Sequence, residues 1–121
     1  MTESRLQSAC LKLLRAELRG AVILKHSERF SSGVPDVSIT WQGKTSFWEF
    51  KYGPRLVWAN GLQKLTCRRL AIAGTCYVVS YYTASNHPRT CIGAPDDPYA
   101  RQAEGFNHRF VVDFVKKLHA P

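Results

Sequence analysis

The sequence predicts a single α/β domain in which helices pack on a mixed β-sheet. Its 121 residues and 45% apolar content suit a folded chain with one modest core. Amphipathic helical patterns alternate with short apolar runs typical of strands, in the order α-β-β-β-α-β, followed by a C-terminal segment. Because no repeat or low-complexity tract divides the chain, we expect residues 1–121 to form one domain.

The first half of the chain predicts one helix and three strands. Residues 2–19 carry apolar side chains at helical spacing, with Thr2 or Ser4 as the cap and Gly20 as the end. Three short β-type runs follow: residues 21–25, 35–41 and 45–51. A polar loop separates the first two runs, and a turn at residues 42–44 joins the last two as a hairpin.

The second half predicts another helix and a fourth strand. The helix covers residues 61–73, with Asn60 as its cap and Gly74 as its end. Its apolar positions are expected to point inward: Leu62, Leu65, Leu70 and Ala73. Residues 75–82 then read as a strand of β-branched and aromatic side chains.

Periodicity is lost over residues 83–105, where turn residues such as Pro95 and Asp96 predict irregular structure. Helical spacing returns over residues 106–118 and predicts a helix. A strand is the alternative there, because Val111 and Val112 are adjacent β-branched residues.

Composition indicates the class of partner and the compartment. Seventeen basic against nine acidic residues give a net charge of +8, which suggests an anionic partner such as nucleic acid; a solvated basic surface without a partner is the alternative. The four cysteines form no C-x-x-C pair, so a zinc site is not expected. Without a signal-peptide pattern or an apolar run of about 18 residues, we expect a cytoplasmic protein that does not contact membranes.

Three polar residues on the predicted hairpin form a chemical constellation. Glu49 and Lys51 alternate with apolar neighbours in one strand and therefore share a face, which Asp36 can reach from the paired strand. Carboxylate oxygens suit a hard cation such as Mg²⁺, and a lysine beside it can stabilise an anionic transition state. The alternatives are that Asp36 only begins a turn and that Glu49 and Lys51 form a surface ion pair.

Two further residues extend this constellation. Glu3 lies on the inward stripe of the first helix, where it would be a third metal ligand or a favourable charge at the helix N-terminus. Glu17 and Glu28 are rival carboxylates for the same role. Gln63, near the start of the second helix, would hydrogen-bond a phosphate, a metal-bound water or Lys51, or would be an exposed glutamine.

These residues resemble the PD-(D/E)xK nuclease superfamily and, within it, the VRR-NUC family. The likeness spans roughly residues 3–82 and rests on four segments: Glu3, Gly33-Val34-Pro35-Asp36, Glu49-Phe50-Lys51 and Gln63. It implies a restriction-endonuclease-like core and Mg²⁺ or Mn²⁺ held by Glu3, Asp36, Glu49 and the backbone carbonyl of Phe50. It also implies that Lys51 is catalytic and that Gln63 supports the site.

The resemblance implies a metal-dependent, structure-specific DNA endonuclease, similar to Holliday-junction resolvases that act as homodimers on branched DNA. A monomeric flap or branched-DNA nuclease and a non-catalytic nucleic-acid-binding protein are the alternatives. Basic side chains are expected to contact the phosphate backbone: Lys12, Arg15, Lys25, Lys64, Arg68 and Arg69. Residues 56–58 and 106–118 are the candidate dimer interfaces, unless they pack into their own core.

Overall fold

The computed structural model describes residues 1–26, 34–58, 61–84 and 87–121. In this part of the chain, three helices alternate with six strands. The helices are α1 (Glu3–Glu17), α2 (Gly61–Ile72) and α3 (His108–His119). The strands are β1 (Val22–Lys25), β2 (Val37–Trp41), β3 (Lys44–Gly53), β4 (Cys76–Tyr82), β5 (Arg89–Ala94) and β6 (Asp97–Glu104). The α/β class is therefore confirmed.

The strands form one mixed sheet in the order of the sequence, from β1 to β6. Neighbours are antiparallel except β3 and β4, which are parallel and joined through α2, since parallel strands need a crossover. The apolar residues of α1 and α3 pack on the face that carries Trp48 and Phe50. Gln63 of α2 contacts Lys51, so α2 lies on the opposite face.

The hairpin turn decides which residues face each other across β2 and β3. Gln42 and Gly43 have φ angles of 56° and 76°, the pair of positive values that a two-residue type I′ turn requires. Trp41 therefore pairs with Lys44, and the ladder continues to the last registered pair, Val37 with Trp48. One residue beyond that pair, Asp36 comes opposite Glu49.

The prediction for residues 83–105 was wrong, because β5 and β6 occupy most of this stretch. The observed order is therefore α-β-β-β-α-β-β-β-α, which differs from the predicted one. The edge strand β6 is polar and mostly exposed, so it lacks the apolar alternation that predicts a strand. At Gly93, where the register shifts, a Cβ atom would overlap the carbonyl oxygen of Asp97, so only glycine fits there.

The inward face of α2 was also predicted wrongly. Its buried residues are Gln63 and Cys67, whereas Leu62 and Leu65 are exposed. The helix covers a strip of sheet that carries Glu49 and Lys51, so its inward side chains are small or polar. The predicted cap, Asn60, lies outside the described residues.

The helix predictions at both ends of the chain are confirmed. Thr2 caps α1 by accepting a 3.1 Å hydrogen bond from the backbone N–H of Arg5. The C-terminal segment is helical, and Asn107 caps it through Phe110. Three valines of α3 are buried in the core, so this helix packs against its own domain: Val111, Val112 and Val115. No described helix is both long and apolar enough to cross a membrane.

Candidate active site

Two hydrogen bonds from backbone N–H groups to carboxylates connect the segments of Asp36 and Glu49, at the point where β2 begins beside β3. The backbone N–H of Asp36 donates a 3.2 Å hydrogen bond to Glu49 Oε1, and the backbone N–H of Phe50 donates a 3.0 Å bond to Asp36 Oδ2. Each carboxylate therefore accepts a hydrogen bond from a backbone N–H of the neighbouring chain segment. The hairpin register, set by the turn, brings both carboxylates to one place.

The carboxyl group of Glu49 is fully buried and only partly satisfied. Its Oε2 atom has no hydrogen-bond partner, and the nearest cation is Lys51 Nζ at 3.6 Å. The pKa of Glu49 is raised to about 9, mainly by burial and then by the negative charge of Asp36, while the positive charge of Lys51 lowers it. A buried carboxylate with one unsatisfied oxygen needs either a proton or a cation.

Lys51 is held between the carboxylates and α2. Its Nζ donates a 3.1 Å hydrogen bond to Gln63 Oε1, and the ring centroid of Trp58 lies 5.4 Å away. Gln63 is buried, so the interpretation as an exposed first-turn glutamine is wrong. The crossover connection explains its place, because α2 starts beyond the carboxyl end of β3 and returns over the face that carries Lys51.

The donors at this site fit a hard divalent cation. Asp36 and Glu49 supply carboxylate oxygens, and Glu49 Oε2 is already desolvated and without a hydrogen-bond partner. The described residues contain no group of three or more histidine, cysteine, aspartate or glutamate side chains that could hold a metal. The remaining ligands would therefore come from backbone carbonyls such as that of Phe50, from water or from the substrate.

The third carboxylate stays a prediction. Glu3 was predicted to lie on the inward stripe of the first helix, but it lies in the first turn of α1 and is exposed, while Gln7, four residues further on, is buried. Glu17, the first alternative for the third metal ligand, instead forms ion pairs with Arg109 and Lys116 of α3. These cations hold the pKa of Glu17 down to about 2. The other rival, Glu28, and Gly33 of the motif lie outside the described residues.

The predicted phosphate contacts fall on two sides of the sheet. Lys64, Arg68 and Arg69 are exposed on α2, the helix that covers the site. Arg68 also forms a 3.2 Å ion pair with Asp96. The other candidates are not grouped with them. Lys25 is exposed at the end of β1, and Lys12 and Arg15 are exposed on α1, which packs on the opposite face.

Sequence reasoning missed two residues beside Lys51. Ser80 is its register partner on β4, and the buried Ser80 Oγ has no hydrogen-bond partner. Cys67 lies one turn after Gln63, and a hydrogen bond with Cys76 lowers the pKa of the Cys67 thiol. A serine within an otherwise apolar strand was the available signal for Ser80. The proximity of Cys67 depends on how α2 is docked.

A second polar cluster lies at the far end of the sheet, beside a cavity of about 300 Å³. Ser46 Oγ is 2.7 Å from His119 Nε2 and accepts a 2.7 Å bond from Trp48 Nε1, while His119 Nδ1 is 2.9 Å from the carbonyl oxygen of Trp41. The arrangement resembles a nucleophile and its base. However, the serine hydroxyl is buried and bonded on both sides, so this cluster anchors the end of α3.

No model of a known protein family matches this chain, and no curated protein matches it either. The resemblance to VRR-NUC nucleases therefore rests on the motif residues themselves. These residues, two carboxylates, a lysine and a glutamine, are in contact on one face of the sheet.

Proposed function

We propose that this protein is a metal-dependent endonuclease that hydrolyses phosphodiester bonds in DNA. The observation that carries the proposal is the continuous contact from Asp36 through Glu49 and Lys51 to Gln63. A structural ion pair would satisfy both oxygens of a buried carboxylate. Glu49 Oε2 instead has no hydrogen-bond partner, which suits a site that receives a cation.

The side chains divide the chemistry between them. Asp36 and Glu49 would hold the divalent cation, Mg²⁺ or Mn²⁺, with the backbone carbonyl of Phe50 as a further ligand. Glu3 is the proposed third carboxylate, although the described structure does not group it with the other two. Such a cation neutralises phosphate charge and makes water more acidic. Lys51, fixed by its hydrogen bond to Gln63, orients the attacking water and stabilises the charge that develops on the phosphate.

A restriction-endonuclease-like core is part of this proposal. It is supported by an antiparallel β2–β3 hairpin that carries the carboxylates, and by a parallel β4 reached through α2. The site lies near the carboxyl ends of β3 and β4, the edge where ligands bind in open α/β sheets.

Branched DNA is the proposed substrate, cut by a homodimer resembling Holliday-junction resolvases. The net charge of +8 supports a polyanionic partner. Since α3 packs into the core, the leading candidate interface is residues 56–58, in which Val57 is exposed beside the site. We propose a cytoplasmic location.

The deciding experiment compares a four-way junction, a 5′ flap and a linear duplex as substrates in Mg²⁺, Mn²⁺ or EDTA. We expect metal-dependent, symmetric cuts in the junction by the parent protein and none by Lys51→Ala. Light scattering then tests for the dimer. Cleavage of flaps alone by a monomer would replace the resolvase proposal with the flap nuclease. Binding of these DNA substrates without cleavage in either metal would refute the proposal that the protein is an enzyme.

A further inference from the structure

The sheet face that carries Lys51 continues across β4 and β5 to a second basic residue. Lys51 pairs with Ser80, Ser80 with Cys91, and Tyr82 with Arg89. Paired residues share a face, so Arg89 lies on the same side as Lys51. The two are separated by about 10 Å across the strands, and Arg89 lies two residues further along β5. A short nucleotide chain can reach both.

The guanidinium of Arg89 is held in place and forms no ion pair within 4 Å among the described residues, although Glu104 is its register partner on β6. Nη1 donates a 2.9 Å hydrogen bond to Gln102 Oε1, and Cζ lies 5.0 Å from the ring centroid of Tyr82. The Nε atom is buried without any hydrogen-bond partner. Every other described buried side-chain atom of this kind lies on the same face, namely Glu49 Oε2 and Ser80 Oγ.

A cavity of about 100 Å³ opens at this guanidinium, lined by Tyr82, Arg89, Cys91, Tyr99 and Gln102. The tyrosine rings meet edge to face with centroids 5.6 Å apart. The hydroxyl of Tyr99 accepts a 2.9 Å bond from the backbone N–H of Leu56, in the segment that follows β3. The cavity wall is thereby tied to the loop beside Lys51.

From this geometry we infer that the cavity at Arg89 is a phosphate subsite, which binds a backbone phosphate of the nucleotide chain near the one at Lys51. A planar guanidinium with unused N–H donors matches the oxygens of a phosphate. The stacked Tyr82 ring keeps the guanidinium oriented, so less conformational entropy is lost on binding. The inference rests on the proposed nuclease function, because the subsite would bind the DNA strand at a second point beside the site at Lys51.

The test measures binding without cleavage. Fluorescence anisotropy of a single-stranded oligonucleotide in EDTA, at several salt concentrations, is recorded for the parent, Arg89→Gln and Arg101→Gln. Arg101 is the matched control, because it pairs with Ile92 and faces the other side of the sheet. We expect Arg89→Gln to weaken binding and to lower the slope of log K against log[salt] by about 0.7, the value for one phosphate of a single strand. Arg101→Gln should keep the parent slope.

Titration of the parent with inorganic phosphate, followed by the NMR signal of Arg89 Nε–H, covers the case in which Arg89→Gln does not fold. A shift of this signal that the oligonucleotide competes away supports the subsite. A shift without competition would replace it with a site for free phosphate, and no shift would overturn it. The binding measurement is made in EDTA, where no cleavage is expected. A failure of the subsite inference is therefore distinguishable from a failure of the proposed nuclease function.

Discussion

The backbone N–H of Asp36 donates to Glu49 Oε1, while Glu49 Oε2 has no hydrogen-bond partner. One oxygen of the same buried carboxylate therefore holds the hairpin together, and the other is left for chemistry. An unsatisfied buried polar group costs free energy, and a bound cation would recover that cost, which is consistent with the cation site proposed above.

Glu49→Gln should stabilise the protein in EDTA and abolish cleavage. The amide keeps an acceptor for the backbone N–H of Asp36 and is neutral at every pH, so the variant avoids the cost of keeping a buried carboxyl group protonated at pH 8. We expect this to add about 1–3 kcal/mol to the free energy of unfolding at pH 8. With its pKa raised to about 9, folded Glu49 retains a proton that the unfolded chain releases above about 4.5. The stability of the parent therefore falls as the pH rises through this window, and that of the variant should not.

Thermal melts from pH 5 to 9 measure this difference, with the exposed Glu104→Gln as the control. Mg²⁺ should raise the melting temperature of the parent and leave that of Glu49→Gln unchanged. Asp36→Asn should likewise lose cleavage, and full activity in that variant would remove the carboxylates from the site.

Gln63→Ala should lower kcat about tenfold or more with KM unchanged, because Lys51 Nζ loses the oxygen that orients it. Gln63→Glu, which keeps an oxygen acceptor, should retain more activity. The matched control is Gln7→Ala, a buried glutamine in the helix that packs on the other face. Steady-state kinetics on the preferred DNA would contradict the positioning role if both alanine variants lost activity equally.

Glu3→Gln should weaken Mn²⁺ affinity, measured by calorimetry, and slow cleavage, because it removes the proposed third carboxylate. Glu17→Gln is the comparison, since that carboxylate is already paired with Arg109 and Lys116. Suppose Glu3→Gln loses only about 0.3–1 kcal/mol of stability and no activity. Its role would then be limited to the helix N-terminus, and the search would move to Glu28.

Gly43→Ala should destabilise the fold by about 1–2 kcal/mol, because φ at this position is 76° and an L-residue there is strained. Gly61→Ala, in the first turn of α2, is the control and should be neutral or mildly stabilising. Chemical denaturation gives both values. Equal stability of Gly43→Ala and the parent would mean that the turn does not constrain the hairpin.

Glu17→Gln should make unfolding less sensitive to acid. The pKa of Glu17 is lowered to about 2, so its ion pairs contribute stability above about 4.5 that is lost as the pH falls toward 2. Melts between pH 2 and 6 at low salt should show a shallower loss in the variant than in the parent. High salt should reduce the difference, since these groups are partly exposed.

Local pattern was sufficient for much of the fold. Helical spacing predicted α1 and α3, and the turn at residues 42–44 between two β-type runs predicted the hairpin that brings Asp36 to Glu49. These features depend on interactions between residues close in sequence, which periodicity and turn chemistry record directly. The candidate carboxylates and Lys51 could therefore be named from the sequence.

Only the tertiary structure decided the rest. The crossover of α2 buries Gln63 against Lys51 and exposes Leu62, the reverse of the pattern in the helix itself. The polar edge strand β6 has no periodic signal, because its ladder partner and not its own side chains keeps it in the sheet. The placement of Arg89 on the face of Lys51 likewise follows from strand pairing between distant segments, which no local sequence pattern encodes.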